Sequence, residues 1–423
     1  MERHVSTKYE GDRHFGEPGT DRGVKQYFSG THRTRDPADT VSLVRPYLPA
    51  MGITRVANVT GLDRIGLPVV MVCRPNSRSV AVSQGKGTNL PAAKASGLME
   101  AIETWHAERM TNPLKLANFE ELGKAHRIID VERLPALADS LYHDDLPILW
   151  VEGVNLLDGE TRWLPYEMVH SNYTLPRSTG YGCFPASTNG LASGNHYLEA
   201  VCHGVCEVIE RDSSAVWHQF PSDVRAATRL DPDCVEDPEC RDILKILRQA
   251  DFETAIWDTT TNINVAAFYC LLLDIGSEAG HMGAGAGCHP VREIALSRAL
   301  TEAIQTRTTY VAGSRDDLSP LEFSPVGIRR KYDYAARLLR NSEPVRNFRQ
   351  TPTFTADTLD ADLRFLLRQL ESVGVSEVVC IDLSRPEFDL SVVRVVIPGL
   401  ESPHDEDGYM RGPRARAARK GRL

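Results

Sequence analysis

The stretch Tyr197-Leu-Glu-Ala-Val-Cys-His-Gly-Val-Cys-Glu-Val-Ile-Glu-Arg-Asp212 decides how this chain is read. Glu199, His203, Glu207 and Glu210 recur at steps of four, four and three residues, which return to one side of a helix. Apart from this stripe and Arg211 the segment is almost wholly apolar, with Leu198, Val201, Val205, Val208 and Ile209 on it. Carboxylates on an otherwise buried helix are costly unless compensated, and a cation, with or without a polyanionic ligand, compensates them. Two other helical stretches carry stripes of the same make-up, Ser96, Glu100 and Glu103 in one, Arg298, Glu302 and Gln305 in the other. Together they outline a wet, magnesium-bearing cavity.

The first stripe taken alone also reads as a solvated face, because Lys94, Thr104, His106 and Glu108 widen its polar arc. The spacing Glu100/Glu103 returns as Glu207/Glu210 on a separate helix, which surface composition does not explain. Gly85-Lys86-Gly87 precedes the first stripe and suits an anion, since glycines admit backbone and lysine supplies charge. It is not a Walker motif: Val80 and Gly87 stand where that pattern needs Gly and Ser or Thr. Gly283, Gly285 and Gly287 lead into the third stripe's helix, whose first turn offers N–H groups. Arg315-Asp316-Asp317 reads either as a salt-bridged turn or as a partner for a triphosphate and its metal. Cys202, His203 and Cys206 share one turn, but with no fourth ligand nearby small buried thiols are preferred to zinc.

With 42% apolar and 25% charged residues over 423 positions, the chain has the make-up of a globular protein of one large or two modest domains. A net charge of -9 argues against a general binder of nucleic acid or anionic membrane. No run is apolar enough to cross a bilayer and the N-terminus is not signal-like, so a cytoplasmic location is expected. Nine cysteines, an odd number in mostly apolar context, argue against a disulfide framework.

Residues 1–24 read as a flexible extension and 401–423 as a flexible tail, acidic at Asp405 to Asp407 and basic from Arg411. Between them the elements alternate without a uniform βαβ cadence, which predicts an α+β or mixed α/β architecture. A helix is expected over 37–49, strands over 54–58, 68–74 and 79–84, and a helix over 92–110. Helix 243–249 with strands 254–257 and 265–274 shares its layout with helix 363–370 and strands 377–381 and 391–397. Both carry Leu-Arg-Gln near the helix end, at Leu247 and Leu367, which suggests an internal repeat. Region 114–176 mixes short helices and strands and suggests no role.

The combination Ser96-x-x-x-Glu100-x-x-Glu103, Glu199-x-x-x-His203, Glu207-x-x-Glu210-Arg211-Asp212 and Arg298-Ala-Leu-Thr-Glu302-Ala-Ile-Gln305 resembles the YcaO family from about residue 25 to 400. Gly30-Thr-His-Arg33, Thr60-Gly-Leu-Asp-Arg-Ile-Gly66, Ser83-Gln-Gly-Lys-Gly87 and Ser187-Thr-Asn-Gly-Leu-Ala-Ser-Gly194 add to the likeness. The resemblance implies a YcaO-type fold around a central ATP–magnesium cavity, and ATP-dependent activation of a peptide-bond oxygen. It implies magnesium on Glu100, Glu103, Glu207 and Glu210, with Glu100, Glu207, Arg211 and Gln305 in the catalytic role. Arg64, Lys86, Ser96, Asn189, His203, Arg298, Glu302 and Arg315 would then face phosphate or nucleotide.

The sequence departs from the family pattern twice. Thr104 stands where relatives usually have Arg after the first Glu pair, so the phosphate contact would be absent or come from Arg109 or elsewhere. The basic end, Gly412 to Leu423, replaces the proline-rich terminus of azoline-forming relatives and looks more like the branch that works with a TfuA partner for sulfur delivery. Backbone thioamidation of a ribosomally made peptide is therefore the leading expectation and azoline-forming cyclodehydration the alternative. A non-catalytic ATP- or peptide-binding scaffold is disfavoured, since it needs no magnesium cage. The partners expected are a precursor peptide or protein and a TfuA-like protein, with a homodimer left open.

Overall fold

The computed structural model describes residues 22–28, 30–276, 281–404 and 408–422. Most of the extension expected to be flexible, residues 1–21, and the acidic Asp405 to Asp407 lie outside the described residues.

Strands β1 (Gln26–Phe28) and β2 (Thr31–Arg33) form a hairpin ahead of helix α1 (Pro37–Val44). β3 (Arg55–Asn58), β4 (Val69–Cys73) and β5 (Val82–Lys86) make an antiparallel sheet that feeds α2 (Leu90–Glu108). β6 (Leu114–Ala117), α3 (Phe119–Gly123), β7 (Ile148–Asn155) and β8 (Thr161–Pro165) precede β9 (Leu191–Gly194) and the long α4 (Tyr197–Gln219). After α5 (Ser222–Ala226) and α6 (Pro238–Gln249), β10 (Phe252–Asp258), β11 (Ala267–Asp274) and β12 (Gly283–Cys288) form a second three-stranded antiparallel sheet feeding α7 (Arg292–Ala312). α8 (Pro325–Arg340), α9 (Leu359–Ser372), β13 (Val379–Asp382), β14 (Ser391–Val396) and α10 (Pro413–Arg419) complete the chain. The largest sheet runs β6-β7-β13-β14-β9, with β8 also on β7, so region 114–176 is sheet scaffold.

The mixed architecture is the expected one. Helix α6 with β10 and β11, and helix α9 with β13 and β14, do share a helix-then-antiparallel-pair layout, but they sit in different sheets. A fuller duplication joins β3-β4-β5-α2 to β10-β11-β12-α7, each three antiparallel strands followed by a long striped helix.

Glycine sets how close these helices lie. A Cβ at Gly85 would stand 2.0 Å from the Ala93 carbonyl oxygen of α2, and one at Gly285 would stand 2.3 Å from the Ala303 nitrogen of α7. Gly194 repeats the arrangement against α4, 2.7 Å from the Ala200 nitrogen. Main chain therefore packs directly on main chain at three strand–helix seams. The apolar sides of the helices, such as Leu98, Ile102 and Trp105 of α2 and Val201, Val205 and Ile209 of α4, fill the core.

The C-terminal segment is not the free tail its composition suggests. Proline at the first turn starts α10, and Glu401 caps it, accepting from the Gly412 and Ala415 N–H groups at 2.7 and 2.9 Å. Ala415 and Ala418 are buried, and Arg414 pairs with the fully buried Asp212 of α4. Small apolar residues between the arginines give this basic stretch a packing face. Among the described residues no helix is long and apolar enough to cross a membrane.

Candidate active site

β5, β9 and β12 each end a row of paired strands, and acids of α2 and α7 meet those edges. Glu100 accepts from the Gln84 N–H at 3.3 Å, and Ser96 Oγ from the Lys86 N–H at 3.4 Å. Glu103 reaches across to β9, where the Ser193 N–H and hydroxyl both donate to Oε1 at 2.9 and 2.7 Å. Glu302 accepts from the Ala286 N–H of β12 at 3.4 Å. Edge amides that no strand pairs thus find side-chain acceptors, and the carboxylates are fixed on several elements at once.

The charges converge. Burial pushes the Glu103 carboxyl up to about 8, with Glu207 and Glu100 adding to the shift. Glu207 is pushed up to about 7 by burial, with Glu210 opposing its charge and Arg211, Arg394 and Arg298 favouring it. Burial also raises Glu100 and Glu210, against the pull of Lys86 and Arg315 on the first and of Arg211 and Arg298 on the second. Glu302 moves the other way, to about 2: burial opposes its charge, but Lys86, 2.6 Å away, and Arg211 outweigh it. Carboxyls raised by burial and by one another are a site built for added positive charge.

His203 stands 2.8 Å from Arg298 Nη2. Arginine only donates, so Nε2 of His203 accepts, and burial beside Arg298 and Arg33 keeps the ring neutral. Glu199 is taken by Thr34, whose N–H and hydroxyl donate at 3.0 and 2.9 Å, with Arg33 3.6 Å away. Gln305 presents a buried Oε1 with no partner, and Arg315, bonded to Asp317, lies in the field of Glu100.

One assigned residue lies elsewhere, and two alternatives left open by the sequence are not met. Arg64 does not face the acidic cluster: it grips Asp274 of β11 in two bonds at 2.6 and 2.9 Å and stacks on Phe252. Thr104, His106 and Glu108 are buried and not a solvated arc; Arg74 bonds both Thr104 and Glu108. Arg109 does not stand in for the missing arginine, because it pairs with Glu108 at 2.6 Å and lies over Trp105. Sequence reading missed Thr34, Ser193 and Arg394. For Ser193 the signal was available, a serine at the end of the Gly-rich loop directly ahead of the striped helix.

Among the described residues no three His, Cys, Asp or Glu side chains form an ion cage by themselves. The donor set nonetheless fits magnesium held with a nucleotide, which takes one or two carboxylates and completes its shell from phosphate and water. Glu100, Glu103, Glu207 and Glu210 could supply the carboxylates, and Lys86, Arg211 and Arg298 the charge for phosphates. Fold and site together define a cluster of buried acids beside lysine and arginine, a donor set that suits a polyanion with divalent cations.

The YcaO family profile, described as YcaO cyclodehydratase, ATP- and Mg2+-binding, matches residues 84–401. A protein from the tfuA 3′ region of Rhizobium leguminosarum bv. trifolii is 33% identical over 390 residues, 90% of each chain. The structure of YcaO from Methanopyrus kandleri bound with AMPPCP and Mg2+ superposes with a TM-score of 0.72 at 23% identity, over 92% of this chain and 99% of that one. A heterocyclase in complex with substrate and cofactor gives a TM-score of 0.78 at 21% identity, over 97% of this chain but only 57% of that longer one. The chain belongs to the YcaO family and is an ATP- and magnesium-dependent enzyme of that type.

Proposed function

We propose that this enzyme activates a backbone amide of a ribosomally made peptide by transferring phosphate to the amide oxygen. The convergence of Glu100, Glu103, Glu207, Glu210 and Glu302 with Lys86, Arg211 and Arg298 carries the reading. Bound MgATP supplies the phosphoryl group. The four raised carboxylates hold the metal ions, and Lys86, Arg211 and Arg298 neutralise charge as it shifts between phosphates. Gln305 and Arg315 orient phosphate oxygens, and neutral His203 fixes the Arg298 guanidinium. A nucleophile that has added to the amide carbon then expels inorganic phosphate, and the carbon–oxygen bond is lost with it.

The nucleophile decides the product. The substrate's own Cys, Ser or Thr side chain gives an azoline, and this outcome is favoured, because the family description and the heterocyclase structure both name ring formation. An external sulfide equivalent gives a thioamide, the outcome the sequence alone ranked first. That second reading stays because the 33% identical Rhizobium relative lies beside tfuA. Mass spectrometry of a modified peptide separates them: ring closure removes about 18 mass units and sulfur for oxygen adds about 16. A peptide unchanged in mass while ATP is consumed overturns both.

A further inference from the structure

Of the four acids proposed to hold magnesium, Glu103 alone accepts a side-chain hydroxyl among the described residues, that of Ser193. Side chains alternate along β9, so Ser193 shares a face with Leu191, which packs in the cluster holding Leu98 and Ile102 of α2. Ser193 is 6% exposed and stands opposite Val392 of β14, with its N–H turned off the edge toward α2. The chain then turns into α4, which carries Glu207 and Glu210. Ser193 therefore joins the first acid pair to the strand that leads into the second.

Both bonds from Ser193 fall on one oxygen. The N–H and the hydroxyl donate to Oε1 of Glu103 at 2.9 and 2.7 Å, which occupies both lone pairs of that oxygen. Among the described residues no hydrogen bond or ion pair engages Oε2. Closing the β9 edge needs only the N–H bond, so the hydroxyl adds something else: it fixes which oxygen of Glu103 is left over. A carboxylate with one oxygen filled offers the other singly. That suits magnesium, which is small and keeps a strict octahedral shell, whereas calcium takes roughly six to eight oxygens and readily accepts both from one carboxylate. We propose that Ser193 is a positioning residue that makes Glu103 a one-oxygen ligand and so sets the preference for magnesium over calcium beside the nucleotide. This rests on the metal role of Glu103 in the amide-activation reading and adds to it the choice of ion.

The test uses the full chain and a non-hydrolysable ATP analogue, with binding measured by calorimetry in excess magnesium and, separately, in excess calcium. Ser193→Ala should weaken binding with magnesium about tenfold and leave binding with calcium within about twofold, so the ratio between the two ions falls. Ser193→Thr keeps the hydroxyl and should hold the wild-type ratio. Ser193→Cys keeps the shape with a weaker donor and should shift the ratio the same way as alanine, which decides the matter if the alanine variant does not fold. A wild-type ratio in the alanine and cysteine variants, or a threonine variant that behaves as alanine does, overturns the role of Ser193. Glu103→Gln tests the metal assignment by itself: binding should weaken with both ions, and unchanged binding with magnesium overturns that assignment and the role of Ser193 with it.

Discussion

Arg414, nine residues before Leu423, closes on Asp212 at 2.9 Å and 3.0 Å, two residues beyond Glu210. Asp212 is fully buried and also accepts the Glu401 N–H at 3.0 Å. The helix that carries two of the acidic residues is thereby fastened at its far half by the C-terminus. Arg414→Ala strands a buried carboxylate and should destabilise the fold by about 3 kcal/mol, measured by urea unfolding. Adding Asp212→Asn to it should recover much of that loss; no recovery in the double variant would show that the pair does not act as a unit.

Glu207→Gln should fold normally, with an unchanged or higher Tm, because it removes a carboxyl that burial disfavours as an anion. ATP consumption should fall roughly 100-fold or more, the scale of losing one transition-state electrostatic contact. Unchanged turnover in Glu207→Gln, Glu210→Gln and Glu100→Gln alike would remove these residues from the reaction.

Glu103 and Glu207 are pushed up to about 8 and about 7, from an ordinary value of 4.5. The folded state therefore holds protons that the unfolded chain has released, and stability decreases as pH rises above about 4.5 until it levels off near 8. Each carboxyl contributes a slope of roughly 1.4 kcal/mol per pH unit inside its window. Thermal melts of the magnesium-free protein should show Tm falling from pH 5 to pH 8, and saturating MgATP should flatten the fall. A Tm that rises over that range contradicts the assignment.

Arg64 ties Ile65 and its neighbours to β11 through Asp274, which also pairs with Arg307 at 3.2 Å. Arg64→Ala should lower stability by about 1–3 kcal/mol and leave MgATP affinity within twofold. A tenfold loss of affinity with unchanged Tm would return this residue to the phosphates.

Gly85→Ala should be among the most damaging single methyl additions, because a Cβ there meets main chain at 2.0 and 2.2 Å. A loss of about 3 kcal/mol or more is expected. Gly61→Ala, with nothing within 4 Å of the added carbon, should stay within about 0.5 kcal/mol and serves as the control. Equal Tm values for the two variants would refute the seam.

What could be read without coordinates follows from what a helix shows in one dimension. Glu100, Glu103, Glu207, Glu210 and Glu302 announced themselves because a charge on an apolar helix is conspicuous at a fixed period. Arg64 misled because a motif gives a residue's neighbours in the chain, whereas its partner, Asp274, lies 210 positions away. The tail misled because charge counts see six basic residues and not the buried Ala415 and Ala418 between them. Arg394 sits in an ordinary apolar strand, and only the antiparallel pairing of β14 with β9 brings it beside Ser187 and the acidic helix.

Glu100, Glu103 and Glu302 each answer a main-chain amide at the rim of a sheet. Unclaimed rims are where one polypeptide zips onto another. The acids of the proposed site thus also guard three borders against foreign strands, and a variant stripped of them faces a tendency to self-associate.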